Sequence, residues 1–377
     1  MKKNIIWLML ALFLILVLFF IFPELFSSKV SYPVTENGAS LKNEEDQIVV
    51  KKITLPPLDT VAYDKKMLEL ANNPKPPPST TKVVKDPKTG VETTVTIEPK
   101  PLPPSPWPVK TAYPNAGAVL PFSRIIAYYG NLYSTKMGVL GEYPEDIMLA
   151  KLMNEVEKWE AADSTTPVVP ALHYITVVAQ AGAGKDGKYR ARMPSTEIDK
   201  VIKMAEKINA LVFLDIQVGF SNLQTEVPLL ERYLKLPNVH LGVDAEFSMK
   251  SGIRPGKIVG TLDATDINFT TEYLAKIVKD NNLTPKILVV HRYTQKMITN
   301  YKLIKILPET QIVMHMDGWG GAAKKMNTYK QFVYKEPVQF TGFKLFYKND
   351  ILTPGTVLMT PEQLLKLNPR PIYIQYQ

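Results

Sequence analysis

The chain predicts an α/β fold, a (β/α)8 TIM barrel, preceded by an N-terminal transmembrane helix and a Pro-rich stalk with a β-hairpin. Three observations carry this expectation. Eight short β-branched runs alternate with amphipathic stretches over residues 119–377. An unbroken apolar run occupies residues 5–22, and 16 of the 31 prolines fall between residues 23 and 118. Alternation of strands with helical crossovers is the pattern of a parallel sheet, and eight such units suit a closed barrel.

The N-terminal run, IIWLMLALFLILVLFFIF, is long enough as a helix to cover about 27 Å, close to the thickness of a bilayer core. Lys2 and Lys3 precede it, so the positive-inside rule keeps the N-terminus cytoplasmic and places the rest across the membrane. The following PELFSSK lacks a small-x-small cleavage site, which favours a retained anchor over a cleaved signal peptide. Expected boundaries are therefore 1–22 for cytoplasmic stub and anchor, 23–118 for the extracytoplasmic linker and 119–377 for the barrel. The linker contains PKPPP (74–78) and PKPLPPSPWP (99–108), which favour extended polyproline II. Between them, TKVVKDPKTGVETTVTIE (81–98) has two β-rich arms around a turn ending at Gly90. A lone hairpin is marginal in water, so this one is expected to lean on the main domain or on a partner.

The strand candidates are RIIAYYG (124–130), VVPALHYITVV (168–178), LVFLDIQVG (211–219), VHLGVDAEF (239–247), KILVVHRYT (286–294), QIVMHMDGW (311–319), FTGFKLFY (340–347) and PIYIQYQ (371–377). Helices are expected over 144–162, 195–210, 226–236, 266–282, 294–307 and 360–367. Pro144, Pro194-Ser195 and Thr360-Pro361 are suitable starts.

Composition narrows the chemistry. The chain is 45% hydrophobic and 21% charged, which excludes wholesale disorder. It has no cysteine, so disulfides, thiolate metal sites, a cysteine nucleophile and a lipid-modified N-terminal cysteine are all excluded. Its net charge of +9 suits the anionic polymers of a cell envelope. No nucleic-acid motif is present. AGAGKDGKYRAR (181–192) is not a P-loop, because no GKS or GKT follows. It is expected to be a rim loop over the site. The oligomeric state is left open.

In such barrels the chemistry lies at the C-terminal strand ends, on inward-facing residues. Alternation along the fourth strand puts His240, Gly242, Asp244 and Glu246 on one face, so two carboxylates point together near the mouth. The third strand offers Asp215 and Gln217, and the sixth offers His315 and Asp317. Tyr129, His173, His291, Lys344, Tyr373 and Gln375 come from the others, and Trp319 follows the sixth. Gathering so many polar groups inside a barrel without function would cost several kcal/mol per charge, so the set reads as a site. Paired carboxylates suit glycoside hydrolysis, where one donates a proton and the other stabilises or attacks an oxocarbenium-like centre.

Asp-x-Glu at the end of strand four resembles glycosidase barrels of the chitinase-like and lysozyme-like families. The resemblance implies that Glu246 is the general acid and Asp244 its partner, and Met314-His315-Met316-Asp317 would make Asp317 a positioning carboxylate. The remaining candidates would bind substrate. The pattern departs from the chitinase-like one at Gly242 and Val239, where further aspartates stand in that family, and from the lysozyme-like one at Tyr129. Lys344 disfavours the barrels with a nucleophile on strand seven.

A second resemblance spans 124–377. AYYG (127–130), MGVLGEYP (137–144), GVDAEF (242–247), PGKIVGTLDATDIN (255–268), LVVHRYT (288–294), HMDGWG (315–320), GFKLFY (342–347) and YIQYQ (373–377) are similar to an uncharacterised family of bacterial exported, membrane- or lipid-anchored barrel proteins. It implies the location, not a reaction.

Two other readings stay open. His173, Asp215, His291, His315 and Asp317 are metal-ligand types, which would make the protein a metal-dependent hydrolase, although the His-x-His of amidohydrolase barrels is missing. Otherwise no cofactor is implied. The barrel could also be a non-catalytic scaffold that binds an envelope polymer.

Overall fold

The computed structural model describes residues 56–377. The expected anchor over 5–22 and the first part of the linker lie outside the described residues. Among those described, no helix is long and apolar enough to cross a membrane.

Eight parallel strands form the barrel: β1 (Arg124–Gly130), β2 (Val168–Ala179), β3 (Leu211–Ile216), β4 (Val239–Asp244), β5 (Lys286–Arg292), β6 (Thr310–Met316), β7 (Phe340–Leu345) and β8 (Tyr373–Tyr376). Each pairs with its sequence neighbour, and β8 pairs with β1, Tyr373 opposite Ile125, so the sheet has no open edge. Alternation decides what each side chain meets. Ile126 and Tyr128 of β1, Leu241 and Val243 of β4, and Met314 and Met316 of β6 join the layer between sheet and helices. Ile125, Ala127, Phe213, Ile287, Val289 and Val313 face inward and fill the lower barrel.

The long helices bury one stripe each. The helix α2 (Glu145–Ala162) places Met148, Leu152, Val156 and Trp159 on the sheet, at helical spacing. In α3 (Ser195–Glu206) the buried residues are Ile198, Val201, Ile202, Met204 and Ala205. The start of α4 (Ala264–Asn281) is held by a capping box between Asp263 and Asp266. Two expected helices do not form. Over 226–236, Pro228 lacks the N–H that a continuous helix needs, and the segment divides into short turns. Over 294–307, Asn300 is left-handed (φ 56°), and two 3-10 turns flank a two-residue strand, Ile298–Thr299, paired with Leu262–Asp263. An unexpected helix, α5 (Ala322–Tyr329), follows β6 and runs into a π-turn over Lys330–Tyr334.

The described part of the linker contains a hairpin and a helix. The hairpin pairs Thr80–Lys85 with Glu92–Ile97, and Asp86 accepts hydrogen bonds in its turn from the backbone of Lys88 (2.7 Å) and Thr89 (3.2 Å). Every residue of both strands is exposed, so among the described residues the hairpin does not lean on the barrel as expected. The other piece is α1 (Thr60–Ala71), which stands where an extended spacer was expected. Asp59 caps it by accepting from the Ala62 N–H at 2.9 Å. Its buried stripe is Tyr63, Met67 and Ala71, and Tyr63 and Met67 pack against the inward-facing residues at the strands' N-terminal ends, closing the base of the barrel. Farther on, Trp107 is buried and its indole N–H donates to the Tyr334 carbonyl at 2.9 Å.

Met67→Ala should therefore destabilise the full chain by about 2 kcal/mol or more. Leu68→Ala, exposed on the same helix, should change stability by less than about 0.5 kcal/mol. Chemical denaturation midpoints in detergent measure both, and equal effects would mean that α1 does not close the base.

Candidate active site

The inward positions near the strands' C-terminal ends divide into a buried layer and a mouth. His173, Asp215, His291, His315, Tyr373 and Gln375 belong to the first, all without solvent exposure. Tyr129, Gln217, Asp244, Glu246, Asp317, Trp319 and Lys344 line a cleft of about 580 Å3 above it. All thirteen residues singled out from the sequence thus lie in the upper barrel, but only seven reach the cleft. The fourth histidine, His240, sits lower, where its Nδ1 accepts from the Ile287 N–H at 3.1 Å.

Glu246 does not arrive by strand alternation. β4 ends at Asp244, and Ala245–Phe247 form a 3-10 turn. Asp244 caps that turn, its Oδ1 accepting from the Glu246 N–H at 3.0 Å, and both carboxyls still line the cleft. On β2 the register shifts between Ile175 and Val177; Ile175 lines the cleft, while Val177 joins the outer layer.

A connected polar network joins the layers. Tyr129 donates from its hydroxyl to Asp215 Oδ2 at 3.1 Å. The Lys344 ammonium lies 3.0 Å from Asp317 Oδ1 and 3.8 Å from the centre of the Tyr129 ring, a close cation–π contact. His291 Nδ1 bonds Asp317 Oδ2 at 2.7 Å. Gln217 accepts from the Ala179 N–H at 3.0 Å and donates to Asp244 Oδ2 at 3.2 Å, which orients that carboxyl.

Burial and charge then separate the carboxyls. Burial pushes Asp244 up to about 8, reinforced by the negative charges of Glu246, Asp215 and Asp317 against the pull of His291. Burial, with the charge of Asp317, also raises Glu246. For Asp317 burial acts upward too, but Lys344 and His291 overcome it and hold the carboxyl far below its usual range. Asp215 is lowered in the same way by His291, His173 and Lys344. Burial pushes His173 down to about 4 and His315 well below the usual imidazole range, whereas for His291 the two aspartates outweigh burial and raise it. The mouth therefore offers two carboxyls biased toward the protonated form beside one held ionised.

Several cleft residues were not anticipated. Tyr293, which bonds Glu246, is two positions beyond His291, just past the end of β5 but within the strand expected over 286–294, so alternation that selects His291 selects it too. Lys136 and Met137 come from the loop after β1, and Lys324 and Thr328 from α5. Conversely, the 181–192 loop does not line the cleft: Arg190 and Arg192 close on buried Glu226 at 2.9 and 2.7 Å. Trp319 is half exposed at the rim, with the Lys324 ammonium 4.8 Å from its ring centre.

Among the described residues, two clusters have metal-ligand chemistry: His173 with Asp215 and His291, and Asp244 with His291 and Asp317. Gly242 makes room for the first. A Cβ there would stand 2.4 Å from both Asp215 Oδ1 and His173 Nε2.

The fold and the network define a parallel barrel with a solvent-open cleft at its C-terminal face, lined by three carboxyls and three lysines. No protein-family model and no curated protein matches the chain. Among solved structures it is similar to a GH18 chitinase from Pseudoalteromonas aurantia, at 12% identity over 68% of this chain and 94% of that one, with a TM-score of 0.33. It is also similar to a mannanase from Bacillus subtilis (12% identity, 68% and 79% covered, TM-score 0.35) and to the YdhT protein of Bacillus subtilis (12%, 71% and 89%, 0.36). None of these overlaps bears on the residues of the site.

Gly242→Ala should cost about 1–3 kcal/mol, because His173 and Asp215 must move to admit the methyl group. Gly182→Ala, with open space around it, should be near neutral. Urea unfolding of the full chain distinguishes them.

Proposed function

We propose that the barrel is a glycan-acting hydrolase, with Glu246 as general acid, Asp244 supporting it and Asp317 as the ionised carboxylate that stabilises positive charge on the sugar. The observation that carries this reading is geometric: Glu246 and Asp317 line one cleft, with the Lys344 ammonium 3.0 Å from Asp317 Oδ1 favouring its ionised form while burial favours the protonated form of Glu246. Glycoside cleavage needs that pairing, a proton for the departing oxygen and an anion near the oxocarbenium-like centre. Glu246 is the better donor of the two raised groups because it lies on the turn beyond β4, partly open to the cleft, while Asp244 is buried beneath it.

The walls of the cleft suit a carbohydrate. Trp319, Tyr293 and Phe346 offer apolar ring faces, and Gln217, Thr328 and Gln377 offer neutral hydrogen-bonding groups. Lys136, Lys324 and Lys344 favour a glycan that carries negative charge. With residues 5–22 as a retained anchor and Lys2 and Lys3 inside, the barrel would face outward and act on a cell-envelope or extracellular glycan.

The test is release of reducing ends from a panel of cell-wall and amino-sugar polymers by the full chain in detergent. Wild type should turn over at least one polymer, and Glu246→Gln should lose about 10²–10⁴-fold in kcat. Because an acid works only when protonated, activity should fall as pH rises through the Glu246 pKa. That limb should stand above the position of an ordinary glutamate, since Asp317 and burial raise the group while Tyr293, Lys344 and His291 only partly oppose them. Polymer binding without turnover by wild type would replace this reading with a scaffold.

A further inference from the structure

Beneath the cleft, three buried polar atoms face one another without hydrogen-bond partners: His173 Nε2, Asp215 Oδ1 and His291 Nε2. Their side chains have no solvent exposure. An unpaired buried polar atom costs about 1–3 kcal/mol, and here three share one spot.

We propose that His173, Asp215 and His291 form a binding site for one divalent first-row cation, with zinc as its natural probe. The three side chains arrive from β2, β3 and β5, and every other polar atom on them is already engaged. His173 Nδ1 bonds the Tyr373 hydroxyl at 2.6 Å, and His291 Nδ1 bonds Asp317 Oδ2 at 2.7 Å. Asp215 Oδ2 accepts from the Tyr129 hydroxyl at 3.1 Å. An outward Nδ1 held by an oxygen partner, with Nε2 turned to a shared centre, is how metal-ligating imidazoles are oriented.

The spacing argues in the same direction. His173 Nε2 and His291 Nε2 lie 3.3 and 3.6 Å from Asp215 Oδ1. Neither contact meets hydrogen-bond geometry, and both are longer than the ~2.7–2.9 Å of a charge-assisted bond. Metal–ligand bonds of about 2.0–2.1 Å in a tetrahedron put ligand atoms about 3.3–3.4 Å apart, which these separations approach. Two imidazoles and one carboxylate are suited to a borderline cation of the zinc type rather than to calcium or magnesium. Gly242 keeps the space clear, since a Cβ there would press on two of the three ligand atoms.

The neighbouring group, Asp244 with His291 and Asp317, is the weaker candidate. Asp317 already has the Lys344 ammonium 3.0 Å away and the His291 bond as countercharge. An ion at the lower site would place positive charge under the cleft floor and tie three strands together. This inference does not rest on the glycan reading, because its test measures the ion and not turnover.

The full chain in detergent is stripped with EDTA, dialysed and titrated with Zn2+, and the retained metal is measured by elemental analysis after desalting. Wild type should keep one ion per chain, with Tm raised by more than about 2 °C. Co2+ substitution should give the intense visible absorption of a tetrahedral site. Asp215→Asn and His291→Gln should weaken binding by at least about 100-fold, whereas His240→Gln, at the barrel base, should bind as wild type does. If the ligand variants do not fold, Tyr373→Phe leaves all three ligands and should still weaken binding about 10-fold by freeing His173. No retained ion and no thermal shift in wild type would overturn the proposal and leave an ion pair only. An ion held equally by wild type and by whichever of the Asp215, His291 and Tyr373 variants fold would overturn it as well.

Discussion

The upper barrel depends on one constraint: charge carried inside a closed sheet must be balanced within that sheet. Asp317, with almost no access to water, takes Lys344 on one oxygen and His291 on the other. His291 in turn faces Asp215, and Asp215 holds Tyr129. Each group is affordable only because its neighbours are present, since removing one partner of a buried pair leaves a stranded charge and costs about 3–5 kcal/mol. The side chains are therefore fixed in position by electrostatics rather than by close packing alone.

That balance decides which carboxyls can work as acids. The available positive charge is committed to Asp317 and Asp215, so Asp244 has only a neutral amide, Gln217, and a backbone N–H as donors. Protonation is its cheapest state. Glu246 is raised by its burial and by the negative charge of Asp317, which Tyr293, Lys344 and His291 only partly oppose. Different protonation states on one rim thus follow from the placement of a single lysine and a single histidine, and the same placement leaves Asp215 Oδ1 and two imidazole nitrogens turned to one another below.

Much of this was legible in the sequence because alternation along a strand is a rigid rule. His240, Gly242 and Asp244 had to share a face, and so did Phe213 with Asp215 and His315 with Asp317. Where the strand stops, the rule stops. Glu246 reaches the cleft through a 3-10 turn, and the shift on β2 turns Val177 outward, neither of which alternation encodes. Tyr293 was within reach of the rule but stood behind the more conspicuous His291. Distances between strands are another matter: alternation shows that His173, Asp215 and His291 face inward, but not that their free atoms meet. Local patterns misled where one residue overrode the average, as with Pro228 and Asn300 in the two helices that do not form.

The base of the barrel explains why the polar layer can sit so high. Below it Ile125, Ala127, Phe213, Ile287, Val289 and Val313 fill the interior, and α1 covers them with Tyr63 and Met67. Its stripe at i, i+4 and i+8 was visible as spacing, yet three apolar positions within a proline-rich segment do not distinguish a docked helix from a spacer. Docking was decided by what the other face needed, because the inward apolar residues at the strand starts would otherwise meet water. With α1 packed over the base, the polar network opens to solvent at the cleft, where Lys344 and Asp317 are paired and Glu246 is partly exposed. The asymmetry between base and mouth follows from the order of inward side chains on several strands: Phe213 before Asp215, Ile287 and Val289 before His291, Val313 before His315 and Asp317.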